Sequence, residues 1–190
     1  MQNLRTGVLM MTVALAAGVA GTAGAQNSES SAIDVTKAEI DAVRSAPEGG
    51  VDRQIKVVDI GQDTNVAVGV LHRDALPRVD GPVAGIAHTL VTEVYYIVSG
   101  AGVLLTGGII EDARALPPDA DVVQVAVGPS VRGQSRGDHS RRVSEGDVVV
   151  IPAGVFHGWS EIEDHVTYLS IRPDPDQVLP AGYVNPVLQP

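Results

Sequence analysis

The chain has 190 residues with 23 acidic against 13 basic side chains, a formal charge of −10 that argues against nucleic acid or anionic lipid as a partner. It contains no cysteine, which excludes thiolate metal ligands, a disulfide framework and a cysteine nucleophile together.

Residues 1–25 read as a secretory signal peptide. Arg5 supplies a positive start, Val8 to Ala20 an apolar stretch too short for a stable membrane span, and Ala23-Gly24-Ala25 a small-residue cleavage site. Export to the periplasm or beyond is the expectation, leaving 165 residues, enough for one core and not two. Residues 26–35 form a polar leader expected to be disordered. Thr36-Lys37-Ala38-Glu39 then matches a capping box, and Ile40 and Val43 sit three apart, so a short helix is expected over 37–45, stopped by Pro47 and packed against the outside of a barrel.

Strand-like runs come next at 54–60, 65–72, 85–90, 93–98 and 103–106, and again at 121–127, 141–143, 148–151, 156–160 and 165–172. Many short strands separated by turn signals point to an all-β, closed antiparallel jelly roll. The segment 107–139 breaks the rhythm with Pro117-Pro118 and several glycines and aspartates. It reads as an excursion that adds a strand or hairpin near the barrel mouth, or merely decorates the surface. Val148 to Ile151 is a continuous β-branched run of the kind buried on both faces. Residues 173–190 are proline-rich and read as an extended tail over the barrel or a neighbouring subunit.

Two stretches carry the chemistry. In the first, His88 is followed by Glu93 and Gly100; by the period-two rule Ile86 shares a face with His88, as Tyr95 and Ile97 do with Glu93. A turn or bulge near Val91 and Thr92 would bring both polar side chains inside. In the second, Gly146, Pro152, Gly154 and His157 describe a strand, a sharp turn and re-entry into a new strand that holds the histidine at the wall. Two imidazoles and a carboxylate can converge if both stretches belong to one barrel.

These residues resemble the two motifs of the cupin superfamily. His88, Glu93 and Gly100 match the second histidine, the glutamate and the closing glycine of the first motif, and Gly146, Pro152, Gly154 and His157 match the second. Ile86 stands where the family has its first histidine, and Glu161 where it has a terminal asparagine. The resemblance spans roughly residues 54 to 172 and implies a cupin-type barrel over 36–172. It also implies a divalent metal (Fe, Mn, Ni or Zn) on His88, Glu93 and His157, a set that leaves coordination positions open. Alternatively, Ile86 marks a degenerate site of hydrogen-bonded polar residues.

Around that set, Tyr95 is a candidate acid or hydrogen-bond donor, and His72, which shares parity with Val66, Val68 and Val70, a candidate proton shuttle or substitute ligand. Ile86, Ile97 and Trp159 are candidate pocket walls. The functions compatible with this reading are a metal-dependent enzyme acting on a small organic substrate, a non-catalytic small-molecule-binding cupin, or a metal-free isomerase using His88 or Tyr95. Tyr96, Phe156 and the tail are candidates for a homodimer interface.

Overall fold

A computed structural model describes residues 31–189; the signal-peptide reading and the first half of the leader, residues 26–30, lie outside the described residues. Helix α1 occupies Lys37–Ser45, with the Thr36 side chain and Glu39 forming the reciprocal capping box. Nine strands follow: β1 Asp52–Asp59, β2 Asn65–Leu76, β3 Val83–His88, β4 Glu93–Thr106, β5 Glu111–Ala115, β6 Ser130–Ser135, β7 His139–Ser144, β8 Val148–Ile151 and β9 His157–Asp174. A 3-10 turn, Pro186–Leu188, ends the chain. Among the described residues no helix is long and apolar enough to cross a membrane.

All strand pairs are antiparallel, and β4 and β9 are the two long ones around which the molecule is built. Their first and second halves serve different sets of partners. The N-terminal half of β4 runs between β8 and the C-terminal half of β9, which continues through β2 to β1. The C-terminal half of β4 runs between β7 and the start of β9, which meets β3 and then β6 and β5. Register shifts near Ile97, Gly100 and Val103 mark the fold line between the halves. Gly100 sits there at φ +78°, and a Cβ on it would stand 2.0 Å from the His165 carbonyl oxygen. The closing glycine of the first motif thus allows the sheet to turn over on itself.

The folded-over sheet encloses a core to which both halves contribute, including Leu71, Tyr95, Ile97, Leu104, Trp159 and Tyr168. A second apolar layer lies outside the barrel. Val43 and Ile40 of α1, with Leu188 of the tail, cover Ile55, Val68 and Val70 on the outer face of β1 and β2. Val35 joins this layer and Lys56 Nζ donates to the Asp34 carbonyl at 2.7 Å, so the expected disorder does not hold for Asp34 and Val35. The tail stays on its own barrel: Tyr183 O accepts from Val57 N and Asn185 N donates to Ile55 O, which closes the edge of β1.

Three expectations are corrected. Val122 to Val127 is not a strand; Val123–Val127 forms a wide helical turn, whose Val123, Ala126 and Val127 are buried. The short runs at 93–98 and 103–106 are one bent strand, as are those at 156–160 and 165–172. Val148–Ile151 is buried on one face only: Val148 and Val150 are 61% and 62% exposed while Val149 and Ile151 point into the core. Among the described residues it pairs only with β4, and none of them covers its outer face.

Candidate metal centre

The two motif stretches meet because the turn of the second is tied to the strand end of the first. Gly154, at φ +82°, donates its N–H to the His88 carbonyl at 2.6 Å, and Ala153 N donates to Thr92 Oγ1 at 3.3 Å. The chain leaves β3 at His88 and enters β4 at Glu93, with Leu90 outside and Val91 buried, so the expected turn does bring both side chains inward. His157 opens β9 opposite Ile86 of β3 and Thr106 of β4.

His88, Glu93 and His157 are 4%, 1% and 5% exposed, and each offers a ligand atom within 4.8 Å of the others. Nε2 of His88 and Nε2 of His157 both lie 3.1 Å from Oε2 of Glu93. Ligands in cis positions at metal distances of about 2.1 Å stand about 3.0 Å apart, so each histidine nitrogen lies at a suitable spacing from the Glu93 oxygen to share one ion with it.

The hydrogen bonds behind the rings decide which atoms point inward. The Ser130 hydroxyl donates to the Gly128 carbonyl at 2.9 Å, and so accepts from His88 Nδ1 at 2.8 Å. His157 Nδ1 faces the Val155 carbonyl at 3.1 Å, which can only accept. Both rings therefore carry their proton on Nδ1 and turn an Nε2 lone pair toward the same carboxylate oxygen. Oxygen Oε2 already receives the Tyr95 hydroxyl at 2.9 Å, while Oε1 receives Ser170 Oγ at 2.6 Å and Arg172 Nε at 2.9 Å. Three acceptors facing one another call for a cation between them, either a proton on an imidazole or a metal ion. Burial pushes the His88 imidazole down against the pull of Glu93, which disfavours the proton there. Burial is the largest influence and works to raise the Glu93 carboxyl, but the Arg172 guanidinium and the His157 and His88 imidazoles together overcome it and hold the group well below the usual carboxylate range. The donor set fits a divalent ion with oxygen and nitrogen preference, and the orienting partner on each Nδ1 is the arrangement that metal-bound imidazoles need. Replacing Ser130 by Ala should therefore weaken zinc binding by roughly 10–100-fold without unfolding the chain. Equal affinities in a competition titration would show that the hydroxyl does not orient His88.

A cavity of about 760 Å³ opens beside this cluster, lined at one end by His88, His157 and Tyr95. Ile86 and Trp159 line it as expected. Ile97 does not: it lies fully buried one pleat further along β4, inside the core. Tyr95, a candidate acid or hydrogen-bond donor, gives its hydroxyl to Glu93; burial and then the Glu93 carboxylate push its phenol well above the ordinary value, so it serves as a donor and is poorly suited to proton exchange. His72 lies on the other side of β2, half exposed, with Nδ1 on Thr167 Oγ1 at 2.7 Å and its ring stacked on His165. The side chains of β2 that face inward are those of Ala67, Leu71 and Arg73, because the Val68 and Val70 row is covered from outside by α1.

Phe156, expected at a second layer or an interface, is buried against Val83 and Leu105. Sequence reasoning missed Ser130, Ser170 and Arg172. The inward parity of Ser170 and Arg172 with Tyr168 was the one available signal.

The segment 107–139 is integral to the site. Its β5–β6 hairpin pairs with β3 and delivers Ser130 to His88, and Val122, Val125 and Ala126 of its helical turn line the cavity.

No family profile and no curated protein matches the sequence. Among solved structures the chain is similar to protein BH2720 from Bacillus halodurans, at 14% identity over 80% of this chain and 87% of that one, with a TM-score of 0.45. It is similar also to a double-stranded β-helix domain protein from Klebsiella pneumoniae subsp. pneumoniae, at 15% identity over 78% and 94%, TM-score 0.40. A third is the polyketide cyclase RemF from Streptomyces resistomycificus, at 17% identity over 75% and 80%, TM-score 0.39.

Proposed function

We propose that this chain, a cupin in its fold and in both of its motifs, binds one divalent metal through His88, Glu93 and His157 and acts as a metal-dependent enzyme on a small organic molecule. The observation that carries the reading is the pair of Nε2 lone pairs fixed toward one Glu93 oxygen by Ser130 and the Val155 carbonyl. A bound metal would supply Lewis-acid polarisation of a substrate oxygen. The chain's own residues do the rest. Arg172 and Ser170 hold Glu93 ionised and fixed in orientation, Tyr95 steadies its second oxygen, and Trp159 and Leu71 give the cavity an apolar wall that limits water.

Ile86, on the cavity wall where the family has a histidine, favours a second reading, a binding protein that performs no reaction. A metal-free isomerase is less well supported, because Tyr95 is committed to Glu93. Elemental analysis of protein purified without added metal tests the proposal: near one equivalent of Fe, Mn, Ni or Zn is expected. Zinc titration that yields no bound metal at micromolar concentration would overturn it.

The reading includes export to the periplasm or beyond and a homodimer. The outer face of β4 and β8 supports the dimer, because Tyr96, Val98, Val148 and Val150 are exposed there side by side. Light scattering on residues 26–190 should give twice the chain mass, and Val150→Asp should return the monomer. A wild-type monomer would refute the interface.

A further inference from the structure

Of the arginines near the cavity, Arg132 of β6 is exposed to solvent, and two others are already committed. Arg172 is paired with Glu93 and Asp52, and Arg53 donates to the carbonyls of Gly50, Val43, Arg44 and Ala46 behind helix α1. Arg73 is different. It lies half buried on the inward face of β2, beyond Leu71, and lines the same cavity as His88, His157 and Trp159. Its Nε donates to the Tyr168 hydroxyl at 3.1 Å, and that is its hydrogen bond among the described residues. It makes no ion pair with any described carboxylate, and both terminal nitrogens are uncommitted.

Leaving a half-buried guanidinium unpaired is costly, and the cost is recovered if a ligand supplies the anion. The fork geometry of arginine suits a carboxylate, which it takes through two parallel N–H donors. The formal charges agree. Arg53, Arg73, Arg132 and Arg172 balance Glu48, Asp52, Glu93 and Asp121 in and beside the cavity, so the two histidines being neutral, a divalent ion in the centre would leave it with an excess of two positive charges.

We propose that the cavity takes small carboxylates, and that Arg73 binds the carboxylate group while the rest of the molecule extends toward His88 and His157. This deepens the reading above by naming the substrate class. Arg73 touches none of the three proposed ligands, so its role is measurable with the metal removed.

Trp159 is the only tryptophan of the chain and lines the cavity, which provides a direct reporter. The probes are benzoate, phenylacetate and succinate, each compared with its uncharged amide, in titrations followed by tryptophan emission with zinc added and again in chelator. At least one acid is expected to give a saturable change that its amide does not, with and without zinc. Arg73→Met should weaken that binding by about 10–100-fold, the range for charge-assisted hydrogen bonds, and Arg73→Lys should retain part of it. Thermal unfolding of both variants shows whether the loss of the Tyr168 contact has disturbed the barrel; if Arg73→Met unfolds, the acid-against-amide comparison and Arg73→Lys decide. Equal binding of acids and amides, no saturable change with any of the acids, or full affinity in folded Arg73→Met would overturn the proposal. Carboxylate binding that persists in chelator while zinc fails to bind would retain Arg73 and retire the metal reading alone.

Discussion

Glu93→Gln should empty the metal centre while leaving the barrel folded. The amide oxygen can still accept from Ser170 and Arg172, and the amide nitrogen then faces the two Nε2 lone pairs, to which it can donate. The substitution therefore replaces a ligand for a cation by a group that satisfies the same histidines without one, at the cost of the acceptor for the Tyr95 hydroxyl. Zinc affinity should fall by more than the roughly 10–100-fold that loss of an outer partner costs, and the far-ultraviolet dichroism of the folded sheet should persist. A variant that still holds one equivalent of metal would mean that Glu93 is not a ligand. A variant that unfolds would mean that its charge serves the fold before it serves any ion.

Arg172→Met should have the largest effect on stability. Arg172 is completely buried and joins Glu93, Gln54 and Asp52 inside the barrel, and burial alone would lower its pKa, yet Asp52 and Glu93 raise it further above its ordinary value. Methionine fills similar space but leaves two carboxylates without a counter-charge, a change worth about 3–5 kcal/mol when one partner of a buried pair is removed. For a domain of this size the melting temperature should drop by roughly 6–20 °C. Zinc should restore part of the loss, because a divalent ion bound at Glu93 takes over part of the missing charge. A drop of no more than about 2 °C would show that water, and not Arg172, compensates these carboxylates.

The parts of this molecule that were legible in the sequence are those decided by neighbours in the chain. Helix α1 was readable to its ends because its capping box is a local device. His157 was readable because Pro152 and Gly154 define the turn that aims it, and His88 and Glu93 because they keep a fixed offset from each other and from Gly100. Parity along the strands was harder. Val66, Val68 and Val70 look like a row facing the core, and Val68 and Val70 are indeed covered, but from outside by Val43 and Leu188; apolar character alone does not say which of two covered faces is the interior. His72 was misplaced for that reason, and Arg73 beside it overlooked. Val122 to Val127 is β-branched and reads as strand, yet buries Val123 and Val127 by coiling under the cavity, a choice made by tertiary packing. Arg172 and Ser170 lie beyond the register shifts of β9, so counting from His157 does not fix their face and only their parity with Tyr168 does.

The hydrogen bond from Gly154 to the His88 carbonyl joins segments more than sixty positions apart, and the three ligand atoms sit on three different strands. An extended chain has only scattered imidazoles and carboxylates, none of which would select an ion. In the proposed centre, choice of metal would thus wait on these long-range pairings. Because intrinsic affinities of such nitrogen and oxygen sets follow a fixed order across the transition series, the ion held there would be set by the metal supply of whichever compartment the chain folds in. Where the protein folds would then be part of what determines its chemistry.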